Sequence, residues 1–409
     1  MTSPVMDAVT QRRDLRLLII LSALMSFASV STDLYLPAMP LMGKDLHAAS
    51  GGIEFTLSGF LIGFSLGQLI WGPAGDRYGR RIPVALGLVL FLIGSIGCAL
   101  STTLTQMVSW RVIQAVGACA GPVLARAMVR DLYSRERAAQ MLSTLILFMA
   151  VAPLSGPILG GQIMAWSNWH MIFWFMVLLG VVAIIGLAFL PETLNPESRA
   201  TTPLSWALKD YVNILRDKRV MGYGLAGACY YAGFYAFIAG TPSAYIDYYH
   251  VSPQLYGLLF SVNIIGVMGA NFLNSRTVKR IGSDRLFHLG STIAALAGVM
   301  FALDSHSGWG GISGLILPFL VYAAMNGLIV ANSVAGALAE ATTNAGGISS
   351  LIGAMHYGSG IFSAAVLGWW KDGSPWPMGA VLGAVAITGC VISWGLKRHN
   401  HLTSITTRQ

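Results

Sequence analysis

Long apolar stretches alternate with short polar breaks along the whole chain. Twelve are apparent, at about 17–36, 53–74, 82–101, 105–128, 138–165, 169–190, 220–246, 254–274, 286–304, 311–332, 345–369 and 376–396. Each supplies the ~20 residues a helix needs to cross ~30 Å of hydrocarbon, so the pattern predicts twelve transmembrane helices. The stretch from Ala138 to Ala165 contains Pro153 and Pro157, which predicts a kink. Residues 191–219 form the longest polar break and divide the chain into residues 1–190 and 220–409, with six helices on each side. Within that break, Ser205–Arg216 has the pattern of a short amphipathic helix lying on the membrane surface. A weak repeat relates the halves: GDRYGRR (Gly75–Arg81) follows the second stretch and KRIGSDR (Lys279–Arg285) the eighth. The predicted fold is an all-α membrane protein of two pseudo-symmetric six-helix bundles, an arrangement common among secondary transporters.

Composition agrees with this pattern. Only 10% of the 409 residues are charged and 55% are hydrophobic, against about 25% charged in soluble domains, and the mean hydropathy is +0.65. A disordered chain is excluded, and a soluble α/β enzyme does not fit. The net charge of +8 would suit a nucleic-acid binder, but its distribution does not. With a cytoplasmic N-terminus, 22 of the 25 Lys and Arg fall on the inner side: Arg12, Arg13 and Arg16, then Arg77, Arg80 and Arg81, then Arg126 to Arg137, the central loop, Arg276 to Arg285, and Lys397, Arg398 and Arg408. Lys44 and Lys371 fall outside, and Arg111 lies within a helix. The positive-inside rule then predicts a multi-pass bacterial inner-membrane protein with both termini cytoplasmic and no nucleic-acid partner. The first stretch reads as a retained helix, since it is long, carries Asp33 and ends in Tyr-Leu-Pro. Cys98, Cys119, Cys229 and Cys390 stand alone in apolar runs, as packing residues without metal-ligand or disulfide spacing.

Two charges lie clearly inside the predicted hydrocarbon, Asp33 and Arg111. Counted at 1.5 Å per residue, Asp33 is about 24 Å from the inner end of helix 1 and Arg111 about 9 Å from the outer end of helix 4. Both therefore sit in the outer half, where they can pair directly. Charges retained at such depth are functional by default. Aspartate can exchange a proton and arginine cannot, so Asp33 is the expected proton-coupling site and Arg111 its tuning partner. The alternative is an ion pair that only ties helix 1 to helix 4. Ser22, Ser26, Ser29 and Asp33 share one helical face, as a polar cavity stripe or as small residues for close packing.

GDRYGRR places Gly75 and Gly79 for a tight turn and close helix approach. Asp76, Arg77, Arg80 and Arg81 supply a charged clasp, expected to break and re-form as the bundles rock, unless they merely decorate the inner face. Helix 5 carries Pro153, Gly156, Pro157, Gly160 and Gly161, a hinge or seal of small residues. On helix 7, Tyr231, Phe234 and Tyr235 share a face suited to amphipathic aromatic ligands or to bundle packing. Gln114, Asn263, Asn326 and His356, with Gln68 and Asn332, are further candidates for a central cavity or for helix–helix hydrogen bonds. No paired nucleophile and base, phosphate loop or HExxH occurs. An enzyme, an ATP-driven pump or a protease is thus not expected, nor is a cofactor or metal.

Four segments carry a resemblance: STDLYLPAMP (Ser31–Pro40), TLSGFLIGFSLGQLIWGPAGDRYGRR (Thr56–Arg81), WRVIQAVGA (Trp110–Ala118) and VAPLSGPILGG (Val151–Gly161). The chain resembles the major facilitator superfamily, in particular the twelve-helix drug:proton antiporters of the Bcr/CflA branch, named for bicyclomycin and chloramphenicol resistance. The resemblance implies that Asp33 is the helix-1 acid and Arg111 the helix-4 arginine linked to proton transfer. It implies that Gly156, Pro157 and Gly161 belong to the antiport motif, and Asp76 and Arg77 to the cytoplasmic gating motif. Some multidrug relatives carry a second helix-1 acid where this chain has Met25-Ser26-Phe27, so a preference for cationic drugs is not implied. The second-half copy has Lys279 in place of Asp76. The expected function is proton-driven export of small amphipathic drugs such as phenicols by a monomer, with the proton gradient as energy source. An exporter of an endogenous amino acid, nucleoside or siderophore would use the same residues. A non-transporting receptor would not need Asp33 and Arg111.

Overall fold

The protein is described from a computed structural model that covers the backbone of residues 4–48, 52–201, 204–339, 345–370 and 372–406. The side chains of Arg12, Arg13, Arg135, Lys371, Lys397, Arg398 and Arg408, which contribute to the charge asymmetry, lie outside the described residues. In chain order the helices are α1 (Pro4–Asp33), α2 (Met39–Asp45), α3 (Phe55–Tyr78), α4 (Arg81–Ala99), α5 (Leu104–Leu132), α6 (Arg135–Trp166), α7 (Trp169–Ala188) and α8 (Leu204–Ile214). They continue as α9 (Lys218–Thr241), α10 (Pro253–Ile281), α11 (Ser283–Ser307), α12 (Gly311–Ala324), α13 (Asn326–Leu338), α14 (Ala345–Trp369) and α15 (Trp376–Thr406). Among the described residues, ten spans are long and apolar enough to cross a membrane. The other two predicted crossings are α6 and α9, helices of 32 and 24 residues.

Local chemistry sets most of the ends. Thr103 caps α5 by accepting from the Gln106 N–H, Ser252 caps α10 by accepting from Leu255, and Asp217 caps α9 by accepting from Arg219 and Val220. Three departures from the sequence pattern have physical causes. The first stretch does not continue as one helix to residue 36: α1 ends at Asp33, and Pro37 and Pro40 start a short 3-10 turn and α2. The tenth crossing is broken at Met325 into α12 and α13 and runs on to Leu338. The central amphipathic segment does form a helix, α8, but it is docked on protein rather than lying free on the membrane surface. Tyr211 and Ile214 are buried, and the Tyr211 hydroxyl donates to the Leu69 carbonyl of α3.

Helices α1 and α3 to α7 pack chiefly on one another, as do α9 to α15; α3 meets α14 and α6 meets α10 across the seam between the halves. Lipid offers no hydrophobic gain for helix association, so close backbone approach must hold these contacts. Small residues supply it. A Cβ on Gly63 of α3 would collide with the Val112 carbonyl of α5, and one on Gly94 of α4 with the Gln114 backbone. These are backbone obstacles, which cannot rotate away. Gly63→Ala is therefore expected to force α3 and α5 apart and lower the melting temperature of the detergent-solubilised protein by about 5 °C or more. Thermal unfolding followed by tryptophan fluorescence checks this, and an unchanged melting point would show that the α3–α5 contact does not limit stability.

Candidate functional site

Arg111 on α5 is fully buried. Its Nη1 donates to the Ser31 carbonyl at 2.8 Å and to Gln114 Oε1 at 2.7 Å. The last carbonyls of a helix lack intrahelical partners, so the guanidinium caps the end of α1 with a positive charge where the helix dipole is negative. The cation lies between two rings, 4.2 Å from Tyr35 and 4.5 Å from Phe60. Desolvated cation–π contacts of this kind are worth about 2 kcal/mol. Gln114 passes the network on, donating from Nε2 to Ser95 Oγ at 2.8 Å. Gln114 is thus completely buried inside the first half and does not line a central cavity, contrary to its sequence assignment.

Asp33 closes α1 and is 5% exposed. It accepts from Thr32 Oγ1 at 2.9 Å. It forms no ion pair with Arg111 among the described residues, so the direct pairing that depth alone permits does not occur. The two are linked through the helix end instead: Arg111 grips the carbonyl two residues before the acid. The helix-5 motif lies against the same place. A Cβ on Gly156 of α6 would stand 3.3 Å from Asp33 Cβ, and one on Gly160 would collide with the Leu34 carbonyl. The other edge of the motif faces the second half. A Cβ on Gly161 would approach the Pro253 carbonyl at 2.7 Å, and one on Gly257 of α10 the Pro157 carbonyl at 2.5 Å; Ser261 Oγ donates to the Leu154 carbonyl. Pro153, one residue before Leu154, lies within the unbroken α6. One stretch of helix thus touches Asp33 on one side and the seam on the other.

The second half meets this site through aromatic rings. Phe60 stacks on Phe64 at 5.9 Å, Phe64 contacts Tyr357 across the seam at 4.3 Å, and Tyr357 contacts Tyr231 and Tyr235 at 5.8 and 6.1 Å. Tyr231 stacks on His356 at 4.8 Å and 19°. Rings therefore run in succession from Phe60 beside Arg111 to His356, whose buried Nε2 has no hydrogen-bond partner among the described residues. Phe234 is not part of this ladder: it turns to Phe319 and Tyr230 in the interior of the second half. Asn263 is buried on α10, with Nδ2 donating to the Phe260 carbonyl and Oδ1 unpartnered among the described residues. Asn326 lies at the break between α12 and α13, beside Tyr230 and Tyr231. Ser26 bonds back to the Ser22 carbonyl, and Ser29 lends its carbonyl to Thr32. Asn332 is tied to Ser283 and Asn274, away from the ladder.

Sequence reasoning missed a buried acid. Glu54 is 2% exposed at the end of α3 opposite GDRYGRR, where Oε1 accepts from Ser243 Oγ of the other half at 3.3 Å. It begins an apolar stretch and so reads from sequence as a loop residue. Together with the Gly161–Pro253 approach, this bond closes the seam at the face remote from the basic loops.

GDRYGRR forms a clasp, but within the first half. Gly79 takes φ +86°, which glycine adopts without strain. Arg80, 6% exposed, pairs with Asp76 at 2.6 Å and Asp131 at 2.8 Å. The backbone N–H groups of Arg80 and Arg81 donate to Glu192 at 2.8 and 3.2 Å, and the Asp76 carbonyl accepts from Ala200. Gly75 leaves room for Arg80, since a Cβ there would stand 3.1 Å from Nη1. Arg77 lies 5.6 Å from the Tyr78 ring. The acids come from α3, the end of α5 and the segment that follows α7. The clasp thus joins elements of one half, not the two bundles, as the sequence pattern suggested. Asp131 and Glu192 were unrecognised because they lie 51 and 112 residues from Arg80.

Burial pushes the Glu192 carboxyl up, but four backbone N–H groups, of Arg80, Leu194, Arg81 and Thr193, outweigh it and hold the group below its ordinary value of 4.5. Its contribution to stability is therefore present at neutral pH and lost as pH falls through the lowered value. Glu192→Gln is expected to lower the melting temperature at pH 7 by about 1–2 °C, a small effect because the group is largely solvated. That gap should close as pH falls through the lowered value, where the native carboxyl becomes neutral as well. A melting series from pH 8 to pH 3 checks this, and a constant gap would rule out the charge as its source.

Comparison with known proteins places this geometry in a family. A model described as Major Facilitator Superfamily matches residues 19–365. An uncharacterized MFS-type transporter of Bacillus subtilis, YdgK, is 31% identical over 392 residues, 95% of this chain and 97% of its own. A bicyclomycin resistance protein homolog of Haemophilus influenzae is 29% identical, covering 90% and 92% of the two chains. A chloramphenicol resistance protein of Pseudomonas aeruginosa is 32% identical, covering 73% and 71%. Among solved structures, the partially occluded inward-open xylose transporter XylE from E. coli aligns with a TM-score of 0.72 over 94% of this chain and 98% of its own, at 15% identity, a likeness of fold alone. The chain belongs to the Major Facilitator Superfamily, in the branch of the bicyclomycin and chloramphenicol resistance proteins, and is a multi-pass membrane transporter rather than an enzyme.

Proposed function

We propose that this transporter exports small amphipathic drugs, of the phenicol and bicyclomycin type, across the bacterial inner membrane in exchange for protons, with its basic face and both termini in the cytoplasm. The observation that carries the reading is Asp33: a buried acid without a cation partner among the described residues, at the point where α1, α6 and the Arg111 network converge. Intramembrane acids in such positions are proton-relay groups by default. Names of the relatives support the class of cargo: two are called bicyclomycin and chloramphenicol resistance proteins.

In this mechanism Asp33 takes up or releases the proton and Arg111 remains charged throughout. Arg111 acts by positioning, because its grip on Ser31 fixes the end of α1 and hence the Asp33 backbone. Gly156 and Gly160 hold α6 against that end, and the opposite edge of α6 lies on α10. A change in local geometry when Asp33 loses its charge is thereby delivered to the seam. Cargo rests against the rings of Tyr231, Tyr235 and Tyr357, whose apolar faces and hydroxyl groups suit an aromatic ring bearing polar substituents. The contacts of Glu54 with Ser243 and of Gly161 with Pro253 hold the extracytoplasmic side closed, as a state that loads cargo from the cytoplasm requires. A monomer contains every element of this cycle.

Asp33→Asn is expected to reduce proton-driven uptake of chloramphenicol into inverted vesicles to the level of vesicles without the protein, with cargo binding retained. Uptake at the wild-type rate would remove Asp33 from the coupling step. In a pump-deficient host, the wild-type gene should raise resistance to phenicols or bicyclomycin, and the variant should not. Unaltered susceptibility to both drugs with the wild type would exclude them as cargo.

A further inference from the structure

The turns that open α4 and α11 are related by the internal repeat: Gly79 has φ +86° and Gly282 has φ +91°. Their surroundings differ. Above Gly79 the space is filled, since a Cβ there would stand 2.6 Å from Glu192 Oε2 and 3.0 Å from Arg199 Nη2, and the local arginine is paired with two acids. Above Gly282 a Cβ would meet nothing within 4 Å. Lys279 stands where the first copy has Asp76, so this turn has exchanged an acid for a base.

An open cavity of about 610 Å³ lies at this second turn, walled by Arg219, Lys279, Arg280, Asp284, Arg285 and Gly336 among others. Four of these are cations. Asp284 is the one acid among the described lining residues, and its Oδ1 already accepts from the Tyr223 hydroxyl at 2.8 Å. Arg219 is held in place by donating from Nε to the Gly336 carbonyl at 3.2 Å. The wall also contains Ile281, an apolar side chain 41% exposed. Beyond it α11 presents a stripe of exposed Leu289, Leu296, Met300 and Leu303. A strongly basic cavity at the start of α11, a helix that also carries an exposed apolar stripe, matches a molecule with an anionic head and hydrocarbon tails.

We propose that this cavity binds the headgroup of an anionic phospholipid. The phosphate lies among Arg219, Lys279, Arg280 and Arg285, and the acyl chains run along the outer face of α11. The lipid supplies in the second half the negative charge that Glu192 and Asp76 supply in the first.

The test is native mass spectrometry of the full-length protein in a neutral detergent, titrated with phosphatidylglycerol or with phosphatidylcholine. One phosphatidylglycerol should bind about tenfold more tightly than phosphatidylcholine. Replacing both Lys279 and Arg280 by Gln should weaken that binding about thirtyfold, each basic residue near an anionic headgroup being worth about fivefold. The double exchange Lys279→Arg with Arg280→Lys keeps both charges and should bind as the wild type does. Inorganic phosphate in excess should leave the lipid bound. Equal binding of the two lipids by the wild type, unchanged affinity in the Gln variant, or displacement by inorganic phosphate would each overturn the proposal. The first and last comparisons use only unaltered protein, so they decide the matter even if a variant does not fold.

Discussion

A guanidinium cannot lose its charge inside a membrane, so everything around Arg111 must accommodate it. The accommodation is shared among four elements. The end of α1 offers a carbonyl that would otherwise lack a partner, Gln114 offers an amide oxygen, and Tyr35 and Phe60 offer the negative faces of their rings. Each of those groups is itself fixed, Gln114 by Ser95 and Tyr35 by contact with Thr56. The first half is therefore organised around a cation that serves as a structural centre and a neighbour of the buried Asp33. Asp33 is placed by this arrangement without pairing with the cation among the described residues.

Glycine determines what that centre can reach. In hydrocarbon, helices are held by close packing and interhelical hydrogen bonds, not by expulsion of water. At Gly156 and Gly160 the close approach joins α6 to the end of α1; at Gly161 and Gly257 it joins α6 to α10. The same helix thus has two tight faces one residue apart in sequence. On the other seam, the rings of Phe64 and Tyr357 interlock where Gln68 and Gly353 also meet.

The internal repeat is conserved in backbone and broken in charge. Both turns use a glycine at positive φ to reverse the chain between helices. The first is neutralised by its own acids, drawn from α3, α5 and the segment that follows α7, and reads as a rigid corner. The second has a lysine in place of the acid and an open basic cavity. Duplicated halves with unequal electrostatics give one half a self-contained corner and the other a cavity lined by four cations and, among its described lining residues, one acid.

The class of fold and its twelve crossings were legible in the sequence, which also singled out Asp33, Arg111, GDRYGRR and the helix-5 motif as the places to look. It could do so because hydrophobic length, intramembrane charge and glycine–proline spacing are local properties, legible at fixed intervals along the chain. Tertiary structure decided who meets whom. Arg111 bonds to the α1 end and not to Asp33, because a depth estimate carries no lateral coordinate. Gln114 turns inward and Phe234 turns to Phe319, because a shared helical face does not say which neighbour covers it. Asp131 and Glu192 complete the clasp from far along the chain, and Glu54 is buried only because the other half closes over it. Periodicity fixes which residues share a helix face; only packing fixes what that face touches.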